Sequence, residues 1–325
     1  MSWREVARRD VLSVYRSRTG PAVAALVALF TVVPVGLMAL AADLVMVAAV
    51  GGVLTIGALL GLVFIGTPRS IAAFVVAFTG LAVLWTAAIA NPQNPPDMGV
   101  AVIGVGGGLS LLAPIIAMFA SYAAIVGERT TGSVRFLFGL PNSRQGAYAA
   151  KYLSRAGVVC VPLVVGLLLA AVIVGAAFEN GSFLGVVGLL FVTIPYALGF
   201  VGVGLAASAW ADTDNLAVAV VVSVYALLRV GWPSAQWLAL EIWAEDPFDE
   251  PAWYYWMGRV NPMNAYTRLT AEFLPDGPRH PLISMPDDGL AQVATSAEFA
   301  LVVIIVWAVL APLVGLGYVR RRDFL

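Results

Sequence analysis

Few residues in this 325-residue chain could do bond chemistry, and their spacing argues against it. His280, Ser284 and Asp287 are the residue types of a base, a nucleophile and an orienting acid. They fall in an irregular, proline-rich stretch, and a triad works only when each member is held against the next. The single histidine rules out a histidine metal cluster, and the single cysteine, Cys160, allows no intrachain disulfide. Gly104 to Gly108 mimics part of a dinucleotide fingerprint, but no strand precedes it. Small residues in an apolar run serve close helix packing instead. No G-x-x-x-x-G-K-[ST] loop occurs, and the only lysine, Lys151, follows Ala149 and Ala150. The chain therefore lacks the usual loop that cradles nucleotide phosphates. The expectation is a protein without catalytic residues, metal or cofactor of its own.

What the sequence does concentrate is positive charge. Gly127 to Arg155 carries Arg129, Arg135, Arg144, Lys151 and Arg155, five of the chain's 18 basic residues, between long apolar runs. Basic loops between spans stay in the cytoplasm, so this segment is expected to be the main cytoplasmic surface. Glu128 sits where an apolar run ends. A helix C-terminus prefers cations, so this carboxylate needs a compensating base, either Arg129 or one on a soluble partner. Arg144, Tyr148, Lys151 and Arg155 are spaced four, three and four apart, one face of a helix. Pro141 precedes them, and Asn142 or Ser143 can act as N-cap. A second feature is Arg229, the one clearly intramembrane charge. It lies 14 residues past Asn215, on the order of 21 Å along a helix. Ionisable groups at membrane depth are functional candidates; the alternative is snorkelling to the outer interface towards Glu241.

An apolar helix running into Gly127-Glu128-Arg129 and Gly132-Ser133, then Leu140-Pro141 and Ser143-Arg144, then Lys151-Tyr152, resembles the permease subunits of type-2 ABC exporters. Among these are the copper-maturation permeases of nitrous oxide reductase assembly and archaeal relatives. Pro262 to Tyr266 and the basic C-terminal tail also resemble that group, whereas residues 44–90 do not. The resemblance implies one permease domain over 1–325 that pairs with a second permease, identical or not. Each copy would dock a separate ATPase subunit through Glu128, Arg129, Gly132, Ser133, Pro141 and Arg144, and ATP-driven closure of the ATPases would rock the spans.

The elements that must position these residues follow from composition. The chain is 61% hydrophobic and 11% charged, with mean hydropathy +0.91. A soluble domain carries about a quarter charged residues, so an all-α, polytopic membrane protein is expected. Net charge is −1 and no basic block suits nucleic acid. About 20 apolar residues cross the hydrocarbon core, which gives eight spans near 21–42, 44–65, 70–90, 100–126, 156–178, 183–209, 215–238 and 299–319. The family pattern usually has six, and the surplus pair falls in 44–90. Before the first span, residues 1–20 hold an amphipathic helix rather than a signal peptide. Trp3, Val6, Ala7, Val11, Val14 and Tyr15 share one face, with Arg8, Arg9 and Arg16 opposite. It reads either as an interfacial helix or as an ordinary basic flank.

With both termini in the cytoplasm, 14 of the 18 basic residues lie inside, as the positive-inside rule expects for the plasma membrane. The exception is the inner turn at 210–214, which has Asp212 and Asp214 and no base. Residues 241–298 form the sizeable outer segment. There, Trp253, Tyr254, Tyr255 and Trp256 suit the headgroup level, and Pro262 can start a short helix that either anchors or re-enters. An ion- or proton-coupled carrier needs carboxylates near the midplane, whereas Asp43, Asp97 and Glu179 fall at span ends. A membrane-embedded enzyme or a maturation scaffold is the other alternative; for an enzyme, no His, Cys or carboxylate pair sits at membrane depth. The sequence leaves the transported substrate open.

Overall fold

The computed structural model describes residues 3–16, 19–40, 97–130, 144–178, 180–244, 250–274 and 289–321. The expected spans 44–65 and 70–90 lie outside these residues. So do Gly132, Ser133, Pro141 and the triad-type residues His280, Ser284 and Asp287.

All the regular elements among the described residues are helical: α1 Trp3–Arg16, α2 Thr19–Leu40, α3 Met98–Ser121, α4 Ala123–Thr130, α5 Arg144–Ala177, α6 Phe183–Trp210, α7 Asp214–Ala226, α8 Trp232–Trp243, α9 Ala252–Val260, α10 Pro262–Thr270, α11 Gly289–Ala294 and α12 Ala297–Arg321. A π-helical turn, Leu227–Gly231, joins α7 to α8. Five continuous segments are long and apolar enough to cross a membrane: Met98–Arg129, Arg144–Ala177, Phe183–Trp210, Asp214–Trp243 and Ala297–Arg321. They match five of the eight expected spans, and the apolar α2 matches a sixth. The fifth expected span, 156–178, begins earlier than its apolar run. At 34 residues, α5 is about 51 Å long, against a hydrocarbon core of about 30 Å. Its first turns therefore project from the apolar part and carry the basic residues.

Helix α6 is the central post, packing against α3, α5 and α12. Glycines let its neighbours close in. A side chain at Gly202 would collide with Pro312 of α12, and one at Gly204 with Ser121 and the Met118 carbonyl of α3. Proline inside a helix leaves the carbonyl four residues earlier without its donor. Pro114 does this to Ser110, and the hydroxyl of Tyr196 in α6 donates to that carbonyl at 2.8 Å. Tyr225 in α7 donates to the adjacent Leu111 carbonyl at 3.1 Å. The backbone acceptors around Pro114 are thus satisfied by neighbouring helices, as apolar surroundings require.

The segment after α8 does not simply lie at a surface. Asn261 caps α10 by accepting from the Met263 amide at 2.9 Å, and Pro262 opens the helix. The buried face of α10 inserts against α3, α6 and α12. Its Tyr266 ring stacks on Tyr196 at 4.2 Å between centroids, and its hydroxyl shares a 2.9 Å hydrogen bond with Thr193. Thr193 and Tyr196 lie 10 and 13 residues into α6, so α10 reaches about 15–20 Å along it. Helix α10 is therefore packed among the long apolar helices. Trp253 and Trp256 pack edge-on against Trp243 and Phe299 at 6.1 and 4.8 Å.

Candidate functional site

One end of the bundle gathers the charged residues that the sequence singles out. The helical run of α3 passes through Tyr122 into α4, and two early amides of α4 find a partner outside it. Ser208 of α6 supplies one: its hydroxyl oxygen accepts from the amides of Ile125 and Val126 at 2.9 and 3.0 Å. This external cap fixes the direction in which α4 carries Glu128 and Arg129.

Those two adjacent residues turn to different partners. Arg129 donates to the Ala211 carbonyl at 2.7 Å and faces the Asp212 carboxylate at 3.7 Å. The acidic turn at 210–214, an exception in the charge count, is therefore at the same end as the basic segment and is partly neutralised by it. Glu128 accepts a hydrogen bond from Lys151 at 2.7 Å, a base that the sequence reading did not single out as its partner. The physical reason is reach. Glu128 and Arg129 are consecutive on a helix and point about 100° apart, whereas Lys151 comes across from α5.

Lys151 is only 2% exposed, and a buried ammonium needs paired charge. It has a second carboxylate, Asp10 of α1, at 3.3 Å. Arg155 donates to the same Asp10 oxygen at 3.2 Å and to the Ala120 carbonyl at 3.4 Å, and the Ser154 hydroxyl donates to the other Asp10 oxygen. Two carboxylates face two cations, so the cluster balances. It ties together α1, the end of α4 that leads into residues 131–143, and the first turns of α5.

The helical start of α5 at Arg144 agrees with the spacing argument, and on that helix Lys151 and Arg155 point into the protein. They turn inwards because Asp10 and Glu128 draw them. Tyr148 is buried too, donating to the Pro312 carbonyl at 2.9 Å, and closes on Gly315 of α12. Arg144, by contrast, stays half-buried at the helix start.

Sequence reasoning missed Asp10, Ser154 and Ser208. Asp10 carries a readable signal. It lies three residues after Ala7 and four before Val14, so it falls within the apolar face of α1, where a carboxylate demands a cation. It is 8% exposed. Ser208 gives no such signal, because its two donors lie 83 and 82 residues away in sequence.

Elsewhere, Asp97 serves as N-cap of α3, accepting from Val100 at 2.8 Å, which accounts for a carboxylate at that span end. Arg229 sits in the π-helical turn, exposed, with no ion pair among the described residues. Among those residues there is also no cluster of His, Cys, Asp and Glu suited to a metal ion.

Residues 74–324 match a family model described as an ABC-2 family transporter protein. No curated protein matches the chain.

Proposed function

The chain belongs to the ABC-2 transporter family, and from that premise we propose that it is the permease subunit of an exporter driven by a separate ATPase docked beneath α4 and α5. Members of this family generally work with an ABC ATPase subunit, and this chain, with its several apolar helices, is a multi-pass membrane protein. The observation that carries the reading is the Asp10–Lys151–Glu128–Arg155 cluster. A soluble motor can move spans only through elements rigidly joined to them. Here the entry to residues 131–143, the projecting start of α5 and the N-terminal helix share one buried ionic knot. A push on any of the three is passed to α5, and from α5 to α6 through their packed faces. In this proposal Glu128, Arg129, Gly132, Ser133, Pro141 and Arg144 contribute to the docking surface. Two permease copies pair, and both termini lie in the cytoplasm together with residues 127–155.

Glu128 is the member of the knot nearest the surface, with its side chain 27% exposed. Glu128→Ala leaves Lys151 paired with Asp10, so membrane levels should stay at those of the wild type. Co-purification of the ATPase, and substrate-stimulated ATP hydrolysis in reconstituted membranes, should fall by about an order of magnitude, the scale of one charged hydrogen bond. Equal values for wild type and variant in both assays would remove Glu128 from the coupling path.

The orientation has its own test. Single cysteines at Ser133 and Ser284, in a chain with Cys160 replaced, should react with an impermeant thiol reagent from opposite sides of the membrane. Labelling of both from one side would overturn the arrangement.

A further inference from the structure

Helix α12, Ala297–Arg321, supplies no described residue to the ionic knot, yet it is held at both ends. At the inner end the holder is Tyr148 of α5. Its hydroxyl donates to the Pro312 carbonyl at 2.9 Å, and the residue is 4% exposed. Any side chain at Gly315 would collide with that hydroxyl and with the backbone of Ala206 in α6. Tyr148 lies one helical turn before Lys151. It shares a small buried core, separate from the main one, with Ile125 of α4, Leu205 of α6 and Val319 of α12. A displacement of the start of α5 therefore acts directly on α12.

At the other end, α12 is tied to α9 and α10. Arg268 of α10 is 4% exposed. Its Nε donates to the carbonyl of Thr295, two residues before α12, at 2.5 Å, and its Nη1 donates to the Glu272 carboxylate at 2.5 Å. The Trp307 indole donates to the carbonyl of Val260, the last residue of α9, at 3.3 Å. The α9–α10 pair also holds a further element, since the Asn261 side-chain amide donates to the Leu228 carbonyl of the π-helical turn at 2.7 Å.

The stretch between the two ends is stiff. Helices kink at proline and at glycine pairs, and residues 297–311 contain neither. The one proline, Pro312, is seated against Gly202 of α6. From Ala297 to Pro312 is 15 residues, about 22 Å along the axis, most of a hydrocarbon core of about 30 Å. We propose that α12 is the mechanical link between the Lys151 end of the molecule and the α9–α10 pair, with Tyr148 and Arg268 as the positioning residues at its two ends. Coupling over such distances is carried by rigid elements packed at both ends. The link is a property of the folded chain and does not depend on the ATPase reading.

The test uses the full chain alone, in lipid nanodiscs, with hydrogen exchange read by mass spectrometry. Tyr148→Phe keeps the ring and removes the bond to Pro312. Exchange should quicken locally at 144–152 and also, by about threefold, at the remote residues 262–273. Gly315→Ala, which drives the Tyr148 hydroxyl away from Pro312, should act in the same direction and more strongly. Coupling is reciprocal, so Arg268→Gln should quicken exchange at 144–152. Tyr152→Phe is the control. Its hydroxyl donates to the Leu198 carbonyl of α6 at 3.3 Å, so its loss loosens the same part of α5 without releasing α12, and residues 262–273 should exchange as in wild type. Three outcomes would each overturn the proposal. The first is wild-type exchange at 262–273 in both Tyr148→Phe and Gly315→Ala. The second is equal quickening there in Tyr152→Phe, which assigns the path to α6, whose Thr193 and Tyr196 also meet Tyr266. The third is equal quickening at residues 19–40 in Tyr148→Phe, which reduces the effect to general loosening.

Discussion

Lys151→Met should be the most damaging single change at the ionic knot. The methionine fills the space but leaves Asp10 and Glu128 facing one another with Arg155 as the remaining cation. Removing one partner of a buried ion pair costs about 3–5 kcal/mol, because the other charge stays behind without compensation. Thermal unfolding of the detergent-solubilised chain should shift down accordingly, and trypsin should release α1 faster than from wild type. Adding Asp10→Asn restores charge balance, with Glu128 opposite Arg155, and should recover part of the loss. That recovery is the coupling a double-mutant cycle measures. Lys151→Arg should be milder, since it keeps the charge and loses only the compact ammonium geometry. If Lys151→Met melts at the wild-type temperature with α1 equally protected, the cluster does not hold α1 in place.

The second large effect is expected at Tyr266. The residue is fully buried, stacked on Tyr196, and bonded to Thr193. Tyr266→Ala opens a cavity of aromatic size where α10 meets α6, and truncations of this kind cost about 3–5 kcal/mol. The consequence should spread, because the Tyr196 hydroxyl occupies the Ser110 carbonyl that Pro114 leaves without a donor. A shifted Tyr196 ring exposes that acceptor in an apolar setting. Tyr266→Phe keeps the ring and loses the hydroxyl bond, so its cost should be about 1 kcal/mol. Hydrogen exchange at residues 262–273 distinguishes the two. Fast exchange in Tyr266→Ala and near wild-type exchange in Tyr266→Phe are expected. Wild-type protection in both would mean that the stacked pair does not seat α10.

Apolar length alone made the spanning helices legible. A run such as 299–319 has one stable solution in a bilayer, a helix that satisfies its own backbone, and α12 covers it. The same holds for 183–209 within α6, and the Asn261-Pro262 start of α10 follows from local capping chemistry that sequence carries directly. The spacing of Arg144, Tyr148, Lys151 and Arg155 likewise announced one helical face, since the period of the α-helix depends on nothing distant.

What that face looks at was decided by the tertiary structure. A row of cations reads as a surface until a carboxylate arrives from elsewhere. Asp10 comes from 141 residues away and Glu128 from 23. Period and hydropathy are properties of one helix, whereas the sign of the charge across the gap belongs to another. For the same reason the Lys151 contact of Glu128 is not legible in the sequence, since it crosses a helix interface. The Ser208 cap and the π-helical turn under Asn261 are further cases, since each is a polar atom completing a backbone defect on a separate element. Composition and periodicity thus determined which of the described segments are long and apolar enough to cross a membrane and which residues share a helix face. Only the packing of those helices, with its demand that every buried charge and broken hydrogen bond be answered, decided which residues meet.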